Sequence, residues 1–422
     1  MKRINKVMAL SCLSSVTVCA TTITFNGSDT QNGYFTFTGD YSVVKNNTGE
    51  EINDFCIKKV SMQEDAVIPD QPQKIRLIIP GSYKNGTKKY TVSIAPKAFE
   101  YLGLDTDTRN LLVELSFQEN DSQYVNFPQD LSAMFQWARV LRKIDLGGIR
   151  DRTDITNTNS MFAFCSNLHT INLGNLNTQN VTDMGSMFAC CSNLKVLNLE
   201  NLGTGKVTNM SSMFSSCYSL INLDLSNFNT SNVSNMSHMF NLCSSLIKLD
   251  LTNFDTKKVS QMEAMFSRCK SLIDLNLSTF NTSNVSTMHS MFEGCSSLIS
   301  LDLSSFTTSN VSDISMMFKG CSCLTRLDLT NFDTQKVAKM KYILEGCNSL
   351  IGLEISDFNK NSIKYPGYDG TMLRDCNSLI LKNYIKLDES AGTQLTYYPN
   401  WVWDADLGTM RLIAIDRYGD VL

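Results

Sequence analysis

The sequence predicts an α/β repeat solenoid: a face of short parallel strands, short helices on the other face, and a β-rich cap on the N-terminal side. Three observations carry this. A Met-Phe-x-x-Cys head begins at Met161, Met187, Met213, Met239, Met265, Met291 and Met317, every step being 26 residues, and Ile343-Leu344-Glu345-Gly346-Cys347 is a degenerate eighth copy. Each head is followed by spaced leucines, as in Leu246, Leu249 and Leu251. Residues 21–130 lack this period and alternate apolar with polar residues in strand fashion.

A fixed period of about 20–29 residues with an L-x-x-L-x-L core is the signature of leucine-rich repeats. Such a stack grows in one dimension, so 422 residues need no single large globular core. Net charge is −4 with 18% charged residues, which excludes the basic stripe of a nucleic-acid binder. With 42% apolar residues, the chain as a whole is not of disordered type.

Taken in order, residues 1–20 read as a secretory signal: Lys2, Arg3 and Lys6 precede an apolar run, and Val18-Cys19-Ala20 sets up a cut after Ala20. No lipobox precedes Cys12 or Cys19, and no run reaches the ~20 apolar residues of a membrane helix. In residues 21–130, strands are expected at 23–25, 34–38, 41–44 and 74–79, with turns at Asn26-Gly27 and Asn46-Asn47-Thr48-Gly49. Tyr90 to Phe99 reads as a divergent repeat, with Ala98-Phe99 in the Met-Phe position, and Leu111 to Leu115 as its next strand. Met134-Phe135-Gln136-Trp137-Ala138 opens the regular series, which runs over residues 131–360. Residues 361–422 hold a last partial repeat around Cys376 and a C-terminal cap.

Within one unit, Met236, Met239, Phe240 and Cys243 fall at i, i+3, i+4 and i+7, one face of a short helix. Leu249 and Leu251 alternate as the inward side chains of a strand. The chain has 14 cysteines, of which Cys165, Cys191, Cys217, Cys243, Cys269, Cys295, Cys321 and Cys347 share one column. Stacked side chains that point the same way are poorly placed for bridging, so this column reads as buried thiols acting as small hydrophobes. Asn-x-Ser/Thr triplets at Asn180, Asn229, Asn232, Asn281 and Asn284 share the repeat corner, where turn chemistry explains them; in a eukaryotic secretory setting they could carry glycans.

The spans Phe228 to Leu251 and Phe280 to Leu303 resemble the BspA-like leucine-rich-repeat surface proteins of the mycoplasma-type subclass. The resemblance covers about residues 134–358 and implies a secreted or surface-displayed, adhesin-like protein that binds host matrix or cell-surface proteins.

No catalytic constellation, cofactor fingerprint or metal-ligand spacing accompanies His169, His238 or His289, so a non-enzymatic protein without cofactor or metal is expected. The informative columns lie on the outward strand face. One reads His169, Lys195, Ile221, Ile247, Ile273, Ile299, Thr325 and Ile351; isoleucines on an open face mark either an interaction surface or packing under a cap. A second reads Asn172, Asn198, Asp224, Asp250, Asn276, Asp302, Asp328 and Glu354, either a solvated face or an acidic stripe for a basic partner or divalent cation. Between them, Lys248, Asp274 and Arg326 belong to the most variable column. Ile221, Asp224, Ile247, Lys248, Asp250, Ile273, Asp274, Ile299, Asp302, Arg326 and Asp328 are therefore the candidate partner-binding residues. A spacer protein, or an effector scaffold acting inside another cell, is the alternative.

Overall fold

The computed structural model describes residues 21–25, 35–45, 50–62, 73–85, 87–103, 111–174, 176–354, 374–378, 400–404 and 409–413. The expected signal segment lies outside these residues, as does most of 361–422.

Seven strands form the N-terminal part: β1 (Thr21–Thr24), β2 (Phe35–Lys45), β3 (Glu51–Met62), β4 (Gln73–Pro80), β5 (Ser82–Asn85), β6 (Lys88–Ile94) and β7 (Leu111–Gln118). In the repeats follow β8 (Leu141–Asp145), β9 (Thr170–Asn172), β10 (Lys248–Leu249), β11 (Asp274–Leu275), β12 (Arg326–Asp328) and β13 (Gly352–Glu354), and then β14 (Asn400–Asp404) and β15 (Thr409–Ile413). A five-stranded parallel sheet, in the order β1-β4-β7-β8-β9, carries the N-terminal part directly into the repeats. Its alternation is strict: Leu111, Val113, Leu115 and Phe117 of β7 are buried and the residues between them are not.

A second sheet, in the order β2-β3-β6-β5, is mixed, with β3 running parallel to β6. Its pairing shifts between Thr38 and Gly39. A Cβ at Gly39 would stand 2.4 Å from the Cys56 carbonyl oxygen, so only glycine fits that kink. The long β3 escaped sequence reading, because Asp54 interrupts its apolar face. Asp54 is buried there and accepts hydrogen bonds from the Thr91 and Ser93 hydroxyls at 2.8 and 2.6 Å.

The expected helix face is corrected. Among the described residues there is no helix, and every head is a pair of tight turns. The reason lies in the backbone donors. The N–H groups of Met236, His238, Phe240 and Leu242 do not bond within their own coil. They donate to the carbonyls of Gln261, Glu263, Met265 and Ser267 in the next coil at 2.7–3.0 Å. The alternate residues Met239, Asn241 and Cys243 close turns onto the carbonyl three residues back. That zigzag needs left-handed backbone at two places per head, φ 58° at His238 and 63° at Leu242, which no α-helix tolerates. The same two positions recur at Lys97 and Tyr101, so the divergent unit ending at Phe99 is a true coil of the stack. The expected burial survives the change of conformation: Met236, Met239, Phe240 and Cys243 are all fully buried.

Coils are joined on two sides. Single parallel bridges run Asp130, Asn157, Asp183, Asn209, Asn235, Gln261, Thr287, Asp313 and Lys339 on the head side, and short strands pair Lys248 with Asp274 and Arg326 with Gly352 on the other. Between these ladders the core is a set of like-on-like columns. Phenylalanine rings stack continuously from Phe135 through Phe162, Phe188, Phe214, Phe240, Phe266 and Phe292 to Phe318, with centroids 5.3–5.8 Å apart.

The cysteine column is free and buried. Each thiol donates to the head Phe carbonyl of the preceding coil, as from Cys243 to Phe214 at 3.1 Å. Burial pushes the Cys165, Cys243 and Cys295 thiols up to about 12. Cys376 donates to the Leu344 carbonyl at 3.1 Å and so extends the column to the last described coil fragment.

A buried threonine at the corner supplies one more staple. Thr256 donates to the Asn281 carbonyl at 2.9 Å and accepts from the Asn281 N–H at 2.7 Å; Thr230 and Thr282 repeat both bonds one coil away.

Candidate binding face on the strand side

All eleven residues expected on the strand face are exposed: Ile221, Asp224, Ile247, Lys248, Asp250, Ile273, Asp274, Ile299, Asp302, Arg326 and Asp328. Ile221, Ile247, Ile273 and Ile299 retain 41–51% of their surface, and Ile351 retains 45%. These are high values for isoleucine in a protein whose repeat leucines are nearly all below a tenth.

The row is held by its backbone. The N–H of Ile247 donates to the Ile221 carbonyl at 3.3 Å, Ile273 to Ile247 at 3.4 Å, and Ile299 to Ile273 at 3.5 Å. Each isoleucine therefore stands directly over the last, at the bend where Leu220, Leu246, Leu272 and Leu298 turn inward. No described segment covers the row. Val196, 75% exposed, and Tyr218, 42% exposed, extend the apolar surface at its N-terminal end. Sequence reasoning did not single them out as apolar surface. Tyr218 carries a signal all the same, since its register holds serine or lysine at Ser192, Ser244, Lys270 and Ser296.

The acidic column has a local task. Asp224, Asp250, Asp302 and Asp328 each accept the backbone N–H two residues on, at Ser226, Thr252, Ser304 and Thr330, at 2.9–3.0 Å. These are Asx turns that end each strand. The backbone bond first, and the Ser or Thr hydroxyl second, hold all four carboxyls below the usual carboxylate range. Asn198 and Asn276 do the same work uncharged, through Glu200 and Ser278. The column is thus a turn device that leaves one charge per Asp on the rim of the face. Among the described residues, no group of three His, Cys, Asp or Glu side chains could hold a metal ion.

The asparagine triplets divide between turns and bonds to the preceding coil. Asn229 and Asn281 accept the N–H of Ser231 and Ser283, while Asn232 and Asn284 donate to the Gly205 and Lys257 carbonyls of the preceding coil.

One histidine does have an acidic neighbour that the sequence spacing hid. His289 Nδ1 lies 3.8 Å from Asp313 Oδ1, one coil on, and its Nε2 lies 3.3 Å from Ser290 Oγ. The first distance exceeds a hydrogen bond. Ser290 is buried, at 4% exposure.

A family model described as "Mycoplasma protein of unknown function, DUF285" matches residues 129–249 and again 243–358, more than half of the chain. The chain belongs to this family. No curated protein is matched. Two solved structures are similar. One is a leucine-rich repeat protein from Bacteroides ovatus, 16% identical over 75% of this chain and 86% of that one, with a TM-score of 0.26. The other is a leucine-rich repeat protein from Eubacterium ventriosum, 14% identical over 87% of this chain and 99% of that one, with a TM-score of 0.31. No helix among the described residues is long and apolar enough to cross a membrane.

Proposed function

We propose that this DUF285 member is a non-enzymatic, secreted or surface-displayed solenoid of the BspA-like type whose strand face binds protein partners, in the manner of an adhesin. The observation that carries the reading is the isoleucine row, four coils long without a break, exposed beside the leucine columns that the stack seals inside. Exposed rows of this kind mark interaction surfaces. A rim of aspartates and a variable middle column would supply selectivity around an apolar centre, the usual anatomy of a recognition patch.

Secretion is supported by the sequence of residues 1–20, where Lys2, Arg3 and Lys6 precede an apolar run that ends in Val18-Cys19-Ala20.

The test is capture from host matrix and cell-surface extracts with the wild-type chain and with the triple variant Ile247→Lys, Ile273→Lys, Ile299→Lys. The triple variant should keep its circular dichroism spectrum and lose capture. Capture that survives the change refutes the assignment of the face and favours a spacer role.

A further inference from the structure

We infer that the partner most complementary to the strand face is a second copy of this chain, seated antiparallel across it. The inference rests on the reading of the strand face as a docking surface and names an occupant for it.

The argument comes from where the apolar and charged residues are centred. The unbroken isoleucines Ile221, Ile247, Ile273 and Ile299 have their midpoint between the coils of Ile247 and Ile273. The middle column has opposite charges, Lys248 and Asp274, on either side of that same midpoint, paired in strand register. Both are exposed, and neither has an ion-pair partner among the described residues.

Consider a two-fold axis lying in the face, parallel to the strands and passing through the midpoint. It reverses the direction of the stack and keeps each column facing itself. Ile247 then meets Ile273 of the second copy, and Ile221 meets its Ile299. Lys248 meets its Asp274, and the symmetry makes each contact twice. In the rim column Asp250 meets Asn276, and Asp328 meets Asn198, so each of these carboxylates faces an amide donor. Asp224 meets Asp302, the one like-charged contact, at the solvated margin.

Neighbouring registers fail. Moving the axis one coil toward the C-terminus sets Lys248 against Arg326. Moving it one coil the other way sets Asp274 against Val196. Isoleucine side chains from both copies would fill the ~10 Å that separates packed sheets. Six coils at roughly 4.8 Å and four residues per strand at about 3.3 Å cover on the order of 400 Å² per copy, which sits at the weak end of interfaces. Association should therefore be reversible and dependent on concentration.

Sedimentation equilibrium over a concentration series tests this with two single variants, Lys248→Asp and Asp274→Lys. Both positions are exposed, so the monomer should fold unchanged. Each variant alone places like charges across the axis and should weaken self-association by about tenfold or more. An equimolar mixture pairs aspartates with lysines and should recover wild-type affinity. Arg326→Asp should have no effect, because Arg326 faces Val196. The inference is overturned if the wild-type chain stays monomeric at all concentrations, if the mixture fails to recover, or if Arg326→Asp abolishes association. A monomeric wild type whose capture of another protein is still lost in the triple lysine variant would remove the second copy and leave the binding face standing.

Discussion

Substituting Cys243 by serine asks whether the thiol column is a packing device or a polar one. Cys243 is fully buried, and its thiol donates to the Phe214 carbonyl at 3.1 Å. That carbonyl also accepts the Cys217 N–H at 3.2 Å, so it is not orphaned when the thiol goes. The shorter C–O bond of serine draws the hydroxyl away from its acceptor and leaves a poorly satisfied polar group in an apolar column. The cost is about 1–3 kcal/mol, a large share of the ~5–15 kcal/mol that holds a typical domain. Alanine at the same site brings no polar group and leaves a small void, at about 1 kcal/mol. The expected order is Cys above Ala above Ser. It is read as the urea midpoint, with the slope checked for loss of cooperativity between coils. Serine equal to cysteine, or alanine below serine, would refute the packing argument.

The same column sets an alkaline limit. Folding raises the thiol pKa from its ordinary value near 9 to about 12 at Cys165, Cys243 and Cys295, so the folded state holds these protons more tightly. Their contribution is complete below pH 9 and is lost as pH rises toward 12, so unfolding monitored by circular dichroism should set in within that window, and Cys243→Ala should flatten it. Phe240 stacks on rings at 5.7 Å on both sides, whereas Phe318 has a stacked ring on one side, Phe292, with Leu344 in the next coil. Alanine at Phe240 should cost about 3–5 kcal/mol, and more than at Phe318 by roughly 0.5–1.5 kcal/mol, both measured by urea unfolding. Thr256→Val keeps the shape and removes both bonds to Asn281, so a loss of about 1–3 kcal/mol in the same assay is expected. Gly320 has φ 73° and room for a methyl group, 3.6 Å from its nearest neighbour. Gly320→Ala should therefore cost only the backbone strain, about 1 kcal/mol, measured as a shift in melting temperature.

Sequence periodicity reports burial before it reports conformation, and this chain separates the two. The spacing of Met236, Met239, Phe240 and Cys243 located the inward side chains correctly. Two tight turns present those residues to the core as well as a helix would, so the spacing could not choose between them. The missed signal was glycine. Gly294, Gly320 and Gly346 hold one head position in three consecutive units, and all three have positive φ. Glycine there is costly inside a helix and natural in a left-handed turn.

The exposed isoleucines were legible because leucine fixes the inward register around them. The task of the aspartates was less so, since an Asx turn depends on the N–H of a residue two positions on, which no side-chain pattern reveals. The recurring small hydroxyl residues Ser226, Thr252, Ser304 and Thr330 were the available hint. The two bonds of Thr256 were not legible, because its acceptor and its donor both lie in the next coil.

Because the ladder from Asn157 to Lys339 bonds residue to residue across a constant offset of 26, that part of the stack keeps its register only when it gains or loses whole coils. Excising one 26-residue unit, such as 240–265, rejoins Met239 to Phe266 and restores every column. Losing 25 residues, such as 240–264, would slide Met265 into the place of Phe and Arg268 into the place of a buried cysteine. A gene built this way can change the reach of its binding face by duplication or loss of units, one strand spacing at a time, while each surviving coil meets the neighbours it already fits.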